Sequence, residues 1–129
     1  MTGVLRILVV DDDEVARYAH ARHLRSLPGF AVEIAEAETG LDALSMCEQA
    51  NYDCVLLDYS MPGMTGLEIL KRLHASSRSV PVIMLSGIEQ PAIADEAYGL
   101  GVCTFLSKDA PVADIHTAIL HAVVAQVSR

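Results

Sequence analysis

"RILVVDDDEVARY", residues 6–18, runs from an apolar stretch straight into three carboxylates and then into a helical pattern. No polar residue interrupts Ile7 to Val10, the mark of a strand covered on both faces. Beyond Asp13, Val15, Ala16, Ala19, Leu24 and Leu27 recur at helical spacing until "PG" at 28–29 breaks the pattern. A buried strand feeding at once into a helix is a βα unit, and the question is whether the unit repeats.

It does. Strands are expected at 5–10, 30–37, 53–57, 80–85 and 102–107, and helices at 13–27, 39–50, 65–76, 90–101 and 110–127. "FAVEIAEA" at 30–37 alternates in part, as an edge strand does, whereas "CVLL" and "VIML" are apolar throughout. Thr39 suits a helix N-cap and Pro111 a first helical turn. The pattern reads as a (βα)5 α/β chain: a doubly wound, parallel five-stranded sheet with helices on both faces. With 129 residues, 52% of them apolar, the chain is expected to be a single domain, residues 1–129.

Composition narrows the function. The net charge of −8 argues against direct nucleic-acid binding, because phosphate backbones select basic surfaces. No apolar run approaches the roughly 20 residues of a membrane span, and the N-terminus turns acidic too soon for a signal peptide, so the expected location is the cytoplasm. Cys47, Cys54 and Cys103 form no CxxC pair and read as reduced, mostly buried thiols. His20 and His23 read as ordinary core or surface histidines rather than metal ligands.

The residues just beyond the apolar strands carry the chemistry. Asp11 and Asp12 come after the first, Asp58 after the third, Ser86 after the fourth and Lys108 after the fifth. In an open parallel sheet these positions share the rim where ligands bind. Each residue alone has a plain reading: a cap, a turn or a solvated charge. One geometry accounts for all of them. Converging carboxylates raise one another's pKa unless a cation compensates, and an all-oxygen donor set suits Mg²⁺, with Mn²⁺ also acceptable. Lys108 adds a positive charge where a phosphoryl group could be held while a carboxylate attacks it, and Asp58 is the best candidate for that nucleophile.

"VVDDD", "LLDYSMPGMTGLEIL", "PVIMLSG" and "FLSKDA" resemble, in order and across essentially the whole chain, the receiver domain of two-component response regulators. The resemblance implies a flavodoxin-like sheet of strand order 2-1-3-4-5. It implies Asp58 as phosphoacceptor from a histidine kinase or histidine phosphotransfer protein. Asp12 would bind Mg²⁺ directly, Asp11 through water, with Asp58 and the Ser60 backbone carbonyl as further ligands. Lys108 would contact the phosphoryl oxygens, Ser86 would be the switch hydroxyl, and Phe105 the aromatic that moves with it. Asp13 then reverts to starting the first helix. The chain would act as a non-enzymatic regulator through a downstream protein or a homodimer, using the fourth helix, fifth strand and fifth helix.

Several positions depart from the family pattern. Asp109 stands after Lys108 where many receivers have proline, so a trans bond is expected there. Phe105 replaces the commoner tyrosine. Ser60 and Ile88 occupy positions that modulate phosphoryl lifetime, and Ile88, unable to hold an attacking water, suggests slow autodephosphorylation. With no DNA-binding or catalytic segment in the sequence, a stand-alone receiver, or a piece of something longer, is expected. Leu120, Val124 and Val127 widen the apolar arc of the last helix beyond its core stripe of Val112, Ile115, Ala118, Ile119, Ala122 and Val123, which reads as a partner face. Arg17, Arg22 and Arg25 with His20 and His23 read as a basic patch on the first helix.

Three other functions compete. A phosphate- or flavin-binding module would need a Gly/Ser-rich loop where the aspartates stand. An aspartyl-phosphate phosphohydrolase would need an acid at position 60. A receiver-like module that binds partners without phosphorylation is the main alternative.

Overall fold

The computed structural model describes residues 3–75, 80–87 and 91–127, with side chains up to residue 124. Strand β1 (Val4–Val10) leads to α1 (Glu14–Arg25), β2 (Ala31–Ala37) to α2 (Gly40–Gln49), and β3 (Cys54–Asp58) to α3 (Gly66–Ala75). Strand β4 (Val82–Ser86) leads to α4 (Pro91–Gly99), and β5 (Thr104–Ser107) to α5 (Val112–Val127). All strand pairs are parallel, in the order β2-β1-β3-β4-β5. This is the flavodoxin-like topology that the resemblance implied, with β2 on an edge.

Strand alternation divides the core. Leu8, Val10, Val55, Leu57, Val82 and Met84 face one way, onto Ala43, Ile69, Leu70, Leu73 and Ala97 of α2, α3 and α4. Ile7, Val9, Cys54, Leu56, Ile83 and Leu85 face the other way, onto Leu24 of α1 and Ile115, Ala118 and Ile119 of α5. β3 and β4 are buried at every residue, which is why they read as continuous apolar runs.

The helix starts obey local chemistry. Asp13 caps α1 by accepting from the Val15 amide at 3.0 Å, and Thr39 caps α2 by accepting from the Asp42 amide at 3.1 Å. The Glu68 amide donates to Thr65 Oγ1 at 3.3 Å at the head of α3. Gly66 is needed for close approach. A Cβ there would lie 2.8 Å from Tyr59 Cα and 3.1 Å from the Asp58 carbonyl oxygen, so α3 packs directly on the loop after β3.

The structure corrects three details. All three cysteines are free, but Cys54 alone is buried; Cys47 is partly buried and Cys103 exposed. In α5, Leu120 packs against the core instead of extending an outer line, whereas Val124 is 61% exposed. The side chain of Val127 lies outside the described residues. The basic patch of α1 is reduced to Arg22 and Arg25, because Arg17 and His20 turn inward.

Candidate functional site

Because every strand is parallel, every strand ends on one rim, and the residues just past the strands meet there. Among the described residues, the buried polar or charged side chains are Asp11, Asp58 and Ser86, at 1%, 3% and 2% exposure. All three stand at this rim. Burial of two carboxylates in a small domain without a charged partner would be prohibitive. The partner is Lys108, whose Nζ lies 3.1 Å from Asp58 Oδ1 and 3.5 Å from Asp11 Oδ2.

Backbone contacts fix each group. Asp11 is held to β2 by its amide, which donates to the Ala37 carbonyl at 3.1 Å. Its carbonyl accepts from Arg17 Nη1 at 2.8 Å, and Arg17 Nε in turn meets Glu36 Oε1 at 3.0 Å. Asp11 Oδ1 accepts from the Asp13 amide at 2.9 Å. Asp58 Oδ1 accepts from the Ser60 amide at 3.2 Å. The Tyr59 amide donates to the Leu85 carbonyl and the Lys108 amide to the Ser86 carbonyl, both at 2.9 Å, tying the post-strand loops to neighbouring strands. The Lys108–Asp109 bond is trans, as expected without proline.

Burial pushes the Asp58 pKa above the usual carboxylate value. The Ser60 amide and Lys108 oppose that rise, and the charge of Asp11 adds to it. For Lys108, burial alone would lower the pKa, but its contact with Asp58 and the negative charges of Asp58 and Asp11 together raise it. Burial likewise lowers the His20 pKa; Asp11 opposes this, while Lys108 and His23 reinforce it.

One oxygen from each of Asp11, Asp12 and Asp58 lies within 4.8 Å of the others. Asp11 Oδ2 and Asp58 Oδ2 are buried and accept no hydrogen bond. Three carboxylates against one ammonium leave the pocket negative, and two of its oxygens lack a donor. This donor set fits a hard divalent cation that prefers oxygen ligands.

The structure brings together the side chains of Asp11, Asp12, Asp58 and Lys108, and Ser86 ends β4 at the same rim, its carbonyl accepting from the Lys108 amide. Asp12 is exposed at the mouth, and Ser60 is exposed on the loop after Asp58. Phe105 is partly buried against the α2–α3–α4 face, one strand from the pocket. Its amide donates to the Tyr98 hydroxyl at 3.1 Å, a contact between β5 and α4 that the sequence did not reveal. Ile88 lies outside the described residues. Sequence reading also missed His20, whose Nε2 is 3.8 Å from Asp11 Oδ2. The signal was available only in part. Arg17, His20, Ala21 and Leu24 share the inward side of α1, and helical side chains lean toward the N-terminus, here toward Asp11.

A family model described as the response regulator receiver domain matches residues 7–120. The response regulator UvrY of Escherichia coli K12 is 34% identical over 116 residues, covering 90% of this chain and 53% of UvrY. The cyclic di-GMP phosphodiesterase response regulator RpfG of Xanthomonas campestris is 41% identical over 108 residues, covering 81% of this chain and 28% of RpfG. Among solved structures, the signal receiver domain of NarL from Mycobacterium tuberculosis superposes with a TM-score of 0.85 at 30% identity, covering 95% of this chain and 98% of that one. The chain thus spans about half the length of UvrY and less than a third of RpfG, so a stand-alone receiver gains no support from these relatives. Among the described residues no helix is long and apolar enough to cross a membrane.

Proposed function

This chain belongs to the response regulator receiver family, and from that premise we propose that it accepts a phosphoryl group onto Asp58 from a phosphohistidine donor, with Mg²⁺ at the acidic rim. Receivers are regulators that interact with histidine kinases and with downstream targets, and they bind Mg²⁺ at an acidic pocket. The observation that carries the finer reading is the buried Asp58 carboxylate, held 3.1 Å from Lys108 Nζ beside Asp11. A structural ion pair would not need the second buried carboxylate or the two oxygens without donors.

In the proposed transfer, one Asp58 oxygen forms a P–O bond as the P–N bond to the donor imidazole breaks, and the electron pair stays on nitrogen. Asp11, Asp12, Asp58 and the Ser60 carbonyl would hold the cation, which neutralises charge on the phosphoryl oxygens. Lys108 would hold a phosphoryl oxygen after exchanging its contact with Asp58. Ser86, at the end of β4, would turn its hydroxyl to the new phosphoryl group, and Phe105 would move with it. The surface of α4, β5 and α5 would then change toward a downstream protein or a second copy. Among the described residues, Tyr98 and Val124 are its exposed large hydrophobic side chains, at 50% and 61%.

The test is intact-mass measurement after incubation with a small-molecule phosphodonor, with and without Mg²⁺, on wild type and Asp58→Asn. One added phosphoryl group that needs Mg²⁺ and is absent from Asp58→Asn is the expected result. A folded wild type that binds Mg²⁺ yet takes no phosphoryl group would favour the phosphorylation-independent partner module.

A further inference from the structure

His20 sits at an inward position of α1 where its neighbours on that side are Ala21 and Leu24, both buried. Its side chain is 12% exposed, and its Nδ1 is buried with no hydrogen-bond partner. An apolar residue would pack there without leaving a polar atom stranded, so the imidazole weakens the fold unless its other nitrogen is used. That nitrogen, Nε2, points at Asp11 Oδ2, 3.8 Å away. Asp11 Oδ2 is itself buried without a hydrogen-bond donor, although Lys108 Nζ stands at 3.5 Å. A largely buried imidazole and a buried carboxylate oxygen, which Lys108 approaches only to 3.5 Å, therefore face each other across a gap slightly too long for a hydrogen bond.

We propose that His20 is a positioning residue for the cation site: its Nε2–H closes onto Asp11 Oδ2 when the cation binds, fixing the carboxylate that the cation uses. The inference rests on the receiver reading, in which Asp11 serves the cation. Outer groups of this kind orient carboxylate ligands, and their loss commonly lowers metal affinity about 10- to 100-fold. The chemistry needs one N–H donor at the Nε2 position and no positive charge. His20→Gln supplies such a donor at nearly the same place, and His20→Leu fills the volume without one.

The experiment is calorimetric titration of MgCl2 into unphosphorylated wild type, His20→Leu and His20→Gln, together with thermal unfolding of each without metal. The proposal expects His20→Leu to bind Mg²⁺ about tenfold more weakly or worse. It also expects that variant to unfold at the same or a higher temperature without metal, and His20→Gln to recover most of the affinity. A side chain that merely fills space gives the opposite pattern, with His20→Leu retaining wild-type affinity. Equal loss of affinity in both variants, or loss in His20→Leu together with a lowered unfolding temperature, also overturns the proposal. Should wild type itself bind no Mg²⁺ and accept no phosphoryl group, the receiver reading fails first and takes this inference with it. Normal wild-type behaviour with unchanged His20→Leu affinity refutes this inference alone.

Discussion

Lys108 Nζ lies between the two buried carboxylates of the pocket, 3.1 Å from Asp58 Oδ1 and 3.5 Å from Asp11 Oδ2. Without a cation it is the positive charge within ion-pair distance of Asp58 among the described residues. Removing one partner of a buried ion pair costs about 3–5 kcal/mol, but Lys108 is 31% exposed, so solvent screens part of that. Lys108→Met is expected to lower metal-free stability by about 2 kcal/mol. The same substitution removes a cation that competes with the divalent ion, so Mg²⁺ affinity is expected to rise while phosphoryl acceptance falls. Urea unfolding, Mg²⁺ titration and phosphodonor kinetics on one variant measure the three effects separately.

Asp58 gives a pH dependence of definite sign. Its folded-state pKa is raised above the ordinary 3.8, chiefly by burial, so the ionised form is disfavoured in the folded state. Above the raised value the charge costs stability; as pH falls through that value toward 3.8 the cost disappears. Asp58→Asn is therefore expected to be more stable than wild type at pH 7 without metal, and the advantage should shrink on acidification through the raised pKa. Millimolar Mg²⁺ should narrow or reverse it, because the ion stabilises the folded wild type by mass action. Unfolding temperatures of both proteins from pH 7 to pH 4, with and without Mg²⁺, are the check; a gap that widens on acidification would contradict the assignment.

The two kinds of information in the chain were not equally legible. β3 and β4 were plain in the sequence because a strand buried on both faces must be apolar at every position, as Val55 to Leu57 and Val82 to Leu85 are. Asp11, Asp58 and Ser86 were legible for a related reason: each ends or follows a buried apolar run, and parallel strands share one rim, to which the less buried β5 adds Lys108. Contacts that join elements distant in the chain left no such trace. His20 faces Asp11 only once α1 packs back against β1, and Tyr98 reaches Phe105 only once α4 packs beside β5. Arg17 looked like surface charge because its partners, the Asp11 carbonyl and Glu36, come from two other segments. The order of the strands was implied by the family resemblance alone, since periodicity does not say which strands are neighbours.

Tyr98 closes the open edge of β5. Its hydroxyl accepts from the Phe105 amide at 3.1 Å although the residue as a whole is half exposed. Phe105 has no hydroxyl of its own, so on this face Tyr98 provides the polar link between α4 and β5. Tyr98→Phe removes one oxygen and keeps the ring. It is expected to cost about 0.5–1 kcal/mol and to speed exchange of the Phe105 amide by about fivefold, with amides in β1 and β3 unaffected. Hydrogen exchange resolved by residue reads this directly, and unchanged Phe105 protection would show that the contact contributes nothing.

Gly66 governs how closely α3 approaches the loop that carries Asp58. A methyl group there would meet Tyr59 Cα at 2.8 Å, the Asp58 carbonyl oxygen at 3.1 Å and the Met84 terminal methyl at 3.3 Å. The methionine can move, but the two backbone atoms cannot do so without shifting the loop. That loop is already fixed at both ends, by the Tyr59 amide on Leu85 and by the Gly66 amide on the Tyr59 carbonyl at 2.8 Å. In an exposed helix, exchanging glycine for alanine stabilises by roughly 1 kcal/mol; here overpacking reverses the sign, and a net loss of about 1–3 kcal/mol is expected. The shift should also carry Asp58 away from Lys108 and the Ser60 amide, so phosphoryl acceptance should fall by more than the loss of folded protein explains. Gly66→Ala, assayed for both stability and acceptance under conditions where it is fully folded, separates the two effects. Full acceptance in a destabilised variant would mean that the loop yields without moving the carboxylate.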